Sequence, residues 1–418
     1  MNVLLVGSGG REHALAWGLQ KSRALLKLFI APGNAGTAQL GQNISIPATD
    51  IFRLRCFAQE QKIDLTIVGP EDAIALGIRD LFEQAHLKIV APCKKVAFLE
   101  TSKVRAKEFL VKHYIPTARY HSFTDHAAAA VYAKSLSFPV VIKADGLAAG
   151  KGVTIAKTFA EADKTLHSYL TERRFGPSSQ SVVVEEFLVG KELSVFVASD
   201  GKSWKLLGAA QDYKRLLDGD QGPNTGGMGA VSPVPWLTDP MLAEITKKIL
   251  EPTFAGLKAE GLIYEGILYF GLIWTEIGPY VIEYNVRFGD PETQVLVPRF
   301  GFDLLEFFSQ IADRKLSEVT ATLKPETAVC VVAASQGYPN QYEKGFFING
   351  PIDKTLSDNA LIFHAGTTMQ DSKIVTAGGR VLNALGLGKS SSEARQRAYE
   401  ILGQVHFKGM HFRKDIAL

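Results

Sequence analysis

Four short apolar runs in the first hundred residues constrain this chain most: 3–6, 27–31, 64–68 and 87–91, separated by stretches of helical pattern. Parallel strands need a helix-sized crossover between them, and this alternation is what βαβ units produce, so residues 1–100 are expected to form a parallel sheet flanked by helices. Each run ends in glycine or proline (Gly7, Pro32-Gly33, Gly69-Pro70, Pro92). The loops therefore fall at the carboxyl ends of the strands, where open α/β sheets bind ligands.

The first of these turns, in NVLLVGSGGREHAL (2–15), begins like a dinucleotide fingerprint with Gly7-x-Gly9, but the third glycine position holds Glu12. The next strand should end near an acid for a ribose hydroxyl, and it runs instead into Pro32-Gly33-Asn34. Both departures argue against NAD. The turn keeps the backbone N–H groups of a helix N-terminus, which suit a phosphate or carboxylate.

A chain of 418 residues exceeds one core and is expected to make two to four domains. The net charge of +3, with basic residues scattered, gives no stripe for nucleic acid or a membrane surface. Cys56, Cys93 and Cys330 are far apart and odd in number, which supports neither a disulfide framework nor a zinc site. A strand rather than a leader at the N-terminus, and no run of about 18 apolar residues, give the expectation of a cytoplasmic protein acting on small molecules.

Beyond residue 101, short β-rich runs at 139–143, 153–156, 181–187 and 193–198 read as a small α+β unit. Runs at 267–274 and 280–285, joined at Gly278-Pro279, read as antiparallel. Runs at 329–334 and 360–364 with a helical 391–405 read as a separate C-terminal β-rich domain.

Four stretches carry chemistry. KADGLAAGKG (143–152) is not a P-loop, because three residues rather than four separate Gly146 from Gly150 and Gly152 replaces the magnesium-binding hydroxyl. It is a loop able to close over phosphates, or else an ordinary surface loop. In SVVVEEFL (181–188), Glu185 and Glu186 end a buried strand, which suits an adenine edge and ribose or is simply a solvated acidic turn. QDYKR (211–215), followed by acids and GPNTGGMG (222–229), is too long and polar for a mere connection. In VIEYNVRFGDPE (281–292), Glu283, Asn285 and Arg287 share one strand face. An acid and an amide oxygen there match the hard ligands magnesium takes beside substrate phosphates, and Arg287 adds a fork for phosphate or carboxylate.

Together with GSGGREHA (7–14), PGN (32–34), VGPE (68–71), FHAGT (363–367) and GGRV (378–381), in this order over essentially the whole chain, these motifs resemble the glycinamide ribonucleotide synthetase family of the ATP-grasp superfamily. The resemblance implies an α/β protein. It has an N-terminal Rossmann-like parallel-sheet (pre-ATP-grasp) domain over 1–101, and a two-part ATP-grasp domain over 102–325 with a small mobile subdomain at about 117–190. A C-terminal β-rich domain covers 326–418. It implies an ATP-dependent ligase of de novo purine synthesis, joining glycine to 5-phosphoribosylamine through a glycyl phosphate. The chain would act as a monomer.

By the same resemblance Lys103, Lys143 and the loop with Gly150 meet the ATP phosphates, and Glu185, Glu186, Phe187 and Leu188 take the adenine. Glu192 takes the ribose, Arg215 and Asn224 line the nucleotide, and Glu283 and Asn285 hold Mg2+ or Mn2+. Gly9, Gly10, Asp212, Arg287, Gly289 and Asp290 bind the other substrates, with Arg287, Asp290 and Lys143 carrying catalysis. Three departures stand out. Tyr269 lies on the earlier strand where many ATP-grasp enzymes place a metal-binding Glu, Tyr213 replaces a common His, and Tyr284 a common Phe.

Overall fold

The computed structural model describes residues 1–147, 152–352 and 359–418. Strands β1 (Asn2–Gly7), β2 (Lys27–Pro32), β3 (Gln42–Asn43), β4 (Leu65–Val68) and β5 (Ile89–Val90) form the expected sheet, wholly parallel, in the order β3-β2-β1-β4-β5. Along β1, Val3 and Leu5 enter one core cluster and Leu4 and Val6 another. Both faces are covered, which is why the strands read as continuous apolar runs rather than alternations.

Glu12 explains the altered fingerprint. It is buried in the first turn of the helix Gly10–Leu19, where its Oε2 accepts the Gly9 N–H at 2.6 Å, as the third residue of a capping box does. Its room comes from absent side chains: a Cβ on Gly7 would stand 2.5 Å from its Cδ, and one on Gly69 would stand 1.8 Å from its Oε1. The Gly9 N–H is therefore not free for an anion, because it is spent on the protein's own carboxylate.

A second, antiparallel sheet comprises β6 (Tyr120–Phe123), β7 (Val140–Ala144), β8 (Val153–Ala156) and β9 (Val182–Glu186), in the order β6-β9-β7-β8. With the helices His126–Ser135 and Phe159–Leu166 it encloses its own small core around Ala129, Ile142, Leu166 and Val184.

The remaining strands are β10 (Lys191–Asp200), β11 (Trp204–Asp212), the hairpin β12 (Arg215–Leu217) and β13 (Gln221–Asn224), β14 (Gly229–Ser232), β15 (Glu265–Thr275), β16 (Gly278–Asn285), β17 (Thr327–Ala334), β18 (Ala360–His364), the hairpin β19 (Thr367–Gln370) and β20 (Lys373–Thr376), and β21 (Arg380–Gly388). Eight of them make one sheet, β16-β15-β10-β11-β14-β17-β21-β18. One expectation changes. The run 193–198 belongs to β10 in this large sheet, where every residue from 193 to 200 is buried, and not to the small unit. The C-terminal β-rich stretch shares its sheet with the preceding one, since β17 pairs with β14 from Gly229↔Val331 to Ser232↔Ala328. A strand buried along almost its whole length, as β17 is, needs neighbours on both edges.

The N-terminal sheet is tied to the far end of the large one by Asn34, whose Nδ2 donates to Ser8 O and to His364 O, both at 2.9 Å. Beside it the His364 N–H donates to His13 Nδ1 at 2.7 Å, so that nitrogen must be unprotonated. Burial, with a smaller contribution from the His364 ring, holds the His13 pKa well below the usual histidine range. The unfolded chain binds a proton near pH 6.5 that the folded chain refuses, so stability is full above that pH and falls as pH drops, by up to about 1.4 kcal/mol per pH unit. His13→Asn supplies an uncharged acceptor; its unfolding midpoint, compared between pH 7.5 and 5.5, is expected to fall less than the wild type's. Equal falls would show that His13 does not carry the acid sensitivity.

Candidate active site

Two connected cavities, of about 500 and 760 Å³, open between the small sheet, the large sheet and the N-terminal sheet. They share Lys143, Glu185, Asp212, Lys214, Asn224 and Glu283, so the residues singled out in four separate stretches of sequence meet in one cleft.

On the small-sheet side, Glu185 of β9 is buried between two ammonium groups, Lys143 Nζ at 3.0 Å from Oε1 and Lys107 Nζ at 3.0 Å from Oε2. Lys143 also donates to Ile282 O at 3.1 Å, and Lys107 to Thr117 Oγ1 at 2.7 Å. Burial brings the Lys107 pKa down to about 8, with the Glu185 charge opposing the fall. The adjacent acid behaves differently: Glu186 Oε2 meets the exposed Arg119 guanidinium at 2.7 Å. Phe187 and Leu188 line the larger cavity, as do Glu186 and Glu192, the latter paired with Lys214 Nζ at 2.8 Å. Arg215 and Asn224 face each other across the β12–β13 hairpin, and Lys103 donates to Gly146 O at 2.8 Å. Gly150 lies outside the described residues.

Opposite stands the end of β16. Glu283 pairs in register with Gly271, and Asn285 with Tyr269, on β15. Burial raises the Glu283 pKa, but Lys214, Lys143, Lys103 and Arg287 together outweigh it and hold the carboxyl below its ordinary value. It is thus a carboxylate at neutral pH. Among the described residues no three His, Cys, Asp or Glu side chains converge as a metal cluster. A divalent ion there would find one carboxylate and one amide oxygen, and would need its other ligands from substrate phosphate and water, which suits magnesium.

Asp212, at the end of β11, is pushed up to about 7 by burial and by Glu292 and Glu192, against the pull of Lys214. A carboxyl so tuned can exchange a proton at neutral pH. Arg287 is forked between two acids, Nε to Glu71 Oε2 at 3.0 Å and Nη2 to Glu100 Oε1 at 2.8 Å, and Nη2 also reaches Asn285 Oδ1 at 3.2 Å. Asp290 accepts from Gln294 Nε2 at 2.7 Å, lies 3.5 Å from Arg380 Nη2, and is held below the ordinary carboxyl range, burial being overcome chiefly by Arg380 and Arg11. Gly9 lets Asp290 approach, since a Cβ there would stand 3.0 Å from its Oδ2; Gly289 likewise makes room for Glu292, and Gly10 abuts Asn383 and Gln294. Of the expected site residues among those described, all but Gly9 and Gly10 line one of the two cavities; Gly9 touches the lining residue Asp290, and Gly10 is buried against Asn383 and Gln294, lining neither.

Sequence reasoning passed over Lys107 and Glu100, and took in Lys214 and Arg380 only inside longer motifs with no role of their own; all four line the smaller cavity. Lys107 could have been found, because it lies four residues after Lys103 on the same helix face. Of the departures, Tyr213 anchors the end of the chain, its hydroxyl accepting the Ala417 N–H at 3.0 Å. The Tyr284 hydroxyl is buried against Thr253 Oγ1 at 2.8 Å.

Two facing β-structures with lysines on one and an acid–amide pair on the other define an ATP-grasp protein. A biotin carboxylase domain of 2-oxoglutarate carboxylase from Hydrogenobacter thermophilus shares the fold at TM-score 0.76 and 16% identity, over 98% of this chain and 91% of that one. The chain belongs to the phosphoribosylglycinamide synthetase family, whose N domain, ATP-grasp (A) domain and C domain match residues 1–100, 101–293 and 328–418. It is 46% identical to the phosphoribosylamine–glycine ligases of Caldanaerobacter subterraneus subsp. tengcongensis and Vibrio cholerae, covering all of this chain and 99% and 97% of theirs. The crystal structure of phosphoribosylamine–glycine ligase from Thermotoga maritima matches it at TM-score 0.87 and 37% identity over the whole of both chains.

Removing one partner of a buried ion pair costs about 3–5 kcal/mol, because the other charge is stranded. Glu185 serves two buried ammonium groups, so Glu185→Gln is expected to lower the urea midpoint markedly, and adding Lys107→Met, which removes one of the two stranded charges, to recover part of the loss. A double variant no more stable than Glu185→Gln would show that Lys107 does not depend on Glu185.

Proposed function

We infer that the chain is an ATP-dependent ligase that joins glycine to 5-phosphoribosylamine, giving glycinamide ribonucleotide, ADP and phosphate. The observation that carries this reading is the meeting, in one cleft, of Lys143, Glu283 and Asn285 with Arg287 and Asp290. A carboxylate is a poor acyl donor because its oxygen would leave as oxide. Attack of the glycine carboxylate on the γ-phosphorus of ATP gives glycyl phosphate and ADP; attack of the ribosylamine nitrogen on the glycyl carbonyl then expels phosphate and forms the amide. Phosphoryl transfer of this kind is catalysed by positioning and by neutralising charge, so it needs no protein nucleophile.

In this reading Glu185 to Leu188 and Glu192 receive the adenosine, while Arg215 and Asn224 flank it. Lys103, Lys143 and the loop containing Gly150 neutralise the phosphates. Glu283 and Asn285 would hold Mg2+ or Mn2+, which when bound screens the phosphate oxygens from the incoming carboxylate. Arg287 and Asp290 orient the substrates where the acyl phosphate forms, and Asp212 and Gly289 complete that wall. Gly9, which leaves room for Asp290, and Gly10 beside it would back the amine's side of the cleft.

ADP release measured with phosphoribosylamine generated in place is expected to require both glycine and that amine. Release independent of either removes the reading. Glu283→Ala is expected to leave the fold intact and to cost on the order of a hundredfold or more in kcat, the scale of deleting one charge-stabilising group. An unchanged magnesium dependence in that variant would overturn the metal role.

A further inference from the structure

The β12–β13 hairpin has little to hold it in place by itself. Its ladder consists of Arg215↔Asn224 and Leu217↔Gln221 with a register shift between them, and residues 217–223 are exposed. An isolated two-stranded hairpin is marginal in water. At its tip Gly219 and Asp220 both adopt left-handed backbone, φ +65° and +57°, a conformation that a non-glycine residue such as Asp220 takes at a cost. Yet the hairpin carries Arg215 and Asn224 onto the wall of the larger cavity.

What fixes it is the end of the chain. Arg413, 2% exposed, grips Asp415 with both arms of its fork at 2.7 Å, and its Nη1 donates to Arg215 O at 3.1 Å and meets Asp220 Oδ1 at 3.3 Å. Asp415 Oδ2 accepts the Gly219 N–H at 2.8 Å, and the Lys414 N–H donates to Asp218 Oδ1 at 2.7 Å. Arg413 and Asp415 themselves line the larger cavity beside Arg215 and Asp220. Bidentate guanidinium–carboxylate contacts are strong and directional, so this pair sets the hairpin's position as well as its stability.

We propose that Arg413 and Asp415 are positioning residues for the nucleotide, through which the C-terminal segment holds the 215–224 hairpin against the bound adenosine. The inference rests on the reading of the larger cavity as a nucleotide site. Asp415→Asn preserves size while removing the charge that Arg413 and Gly219 share. It is expected to raise the Kd for ADP and the KM for ATP by about tenfold, the equivalent of one weakened charge-assisted contact, with the KM for glycine unchanged. Arg413→Lys, which keeps the charge and loses the fork, is expected to weaken ADP in the same direction. In the wild-type chain ADP is expected to slow amide exchange at 215–224 and at 411–417 together. Unchanged ADP affinity in a folded variant, an equal loss for glycine, or slowed exchange in the hairpin alone would overturn the proposal. A wild-type chain that binds no ADP would remove both readings; one that binds ADP without glycine-dependent turnover would remove only the ligase.

Discussion

The guanidinium of Arg287 is the point where the N-terminal sheet, the short helix Phe98–Thr101 and the end of β16 are locked together. Glu71 begins the helix after β4, Glu100 lies on that short helix, and Glu100 also accepts the Val286 N–H at 2.7 Å, so one acid holds both the side chain and the backbone at the strand's end. A single cation serves two buried carboxylates, and they divide it unequally. Burial would raise both; Arg287 and Arg11 bring Glu71 down to about 2, while burial and the Glu71 charge push Glu100 up to about 7. Removing the guanidinium would leave two buried acids without their counter-charge, so Arg287 sets the domain arrangement as much as it faces a substrate.

This division of labour follows from where the cleft groups are mounted. Asp212, Glu283, Asn285 and Arg380 all stand on the eight-stranded sheet, whose ladder runs from β16 to β18 without a break. Their mutual spacing is set by backbone hydrogen bonds. Lys143 and Glu185 stand on a different sheet with its own core, and reach the large one through Lys143 Nζ to Ile282 O and Thr117 Oγ1 to Val281 O. Two rigid bodies joined by few polar contacts can change their separation while each keeps its own geometry, which is what a cleft that must enclose and release a triphosphate requires.

How much of this was legible depended on whether the signal was local. Apolar runs and Gly-Pro punctuation gave the parallel sheet, and Glu283 and Asn285 showed as a strand face because period-2 alternation is a local property. The continuity of β14 into β17 was not legible, since pairing between segments about a hundred residues apart leaves no local mark. Nor were Lys107 and Glu100: charged residues on helices are usually solvated, and only the tertiary contacts to Glu185 and Arg287 reveal these two as buried partners. Glu12 was visible as an anomaly, but its meaning needed Gly69, which comes from another strand end.

The surroundings of Glu283 also bear on the order in which charge enters the cleft. With Tyr269 at the register position opposite Asn285 and Gly271 opposite Glu283, β15 places no second acid beside them, and Glu283 already sits in the field of Lys214, Lys143, Lys103 and Arg287. One carboxylate and one amide oxygen leave a divalent ion short of donors, because magnesium demands a near-octahedral shell of oxygens. A triphosphate makes up the shortfall: its charge is matched by the lysines, and its oxygens supply the ligands that Glu283 and Asn285 lack. On the proposed reading, therefore, metal affinity is a property of the nucleotide-loaded cleft, and Tyr269, a non-acidic neighbour opposite Asn285, is the feature that makes it so.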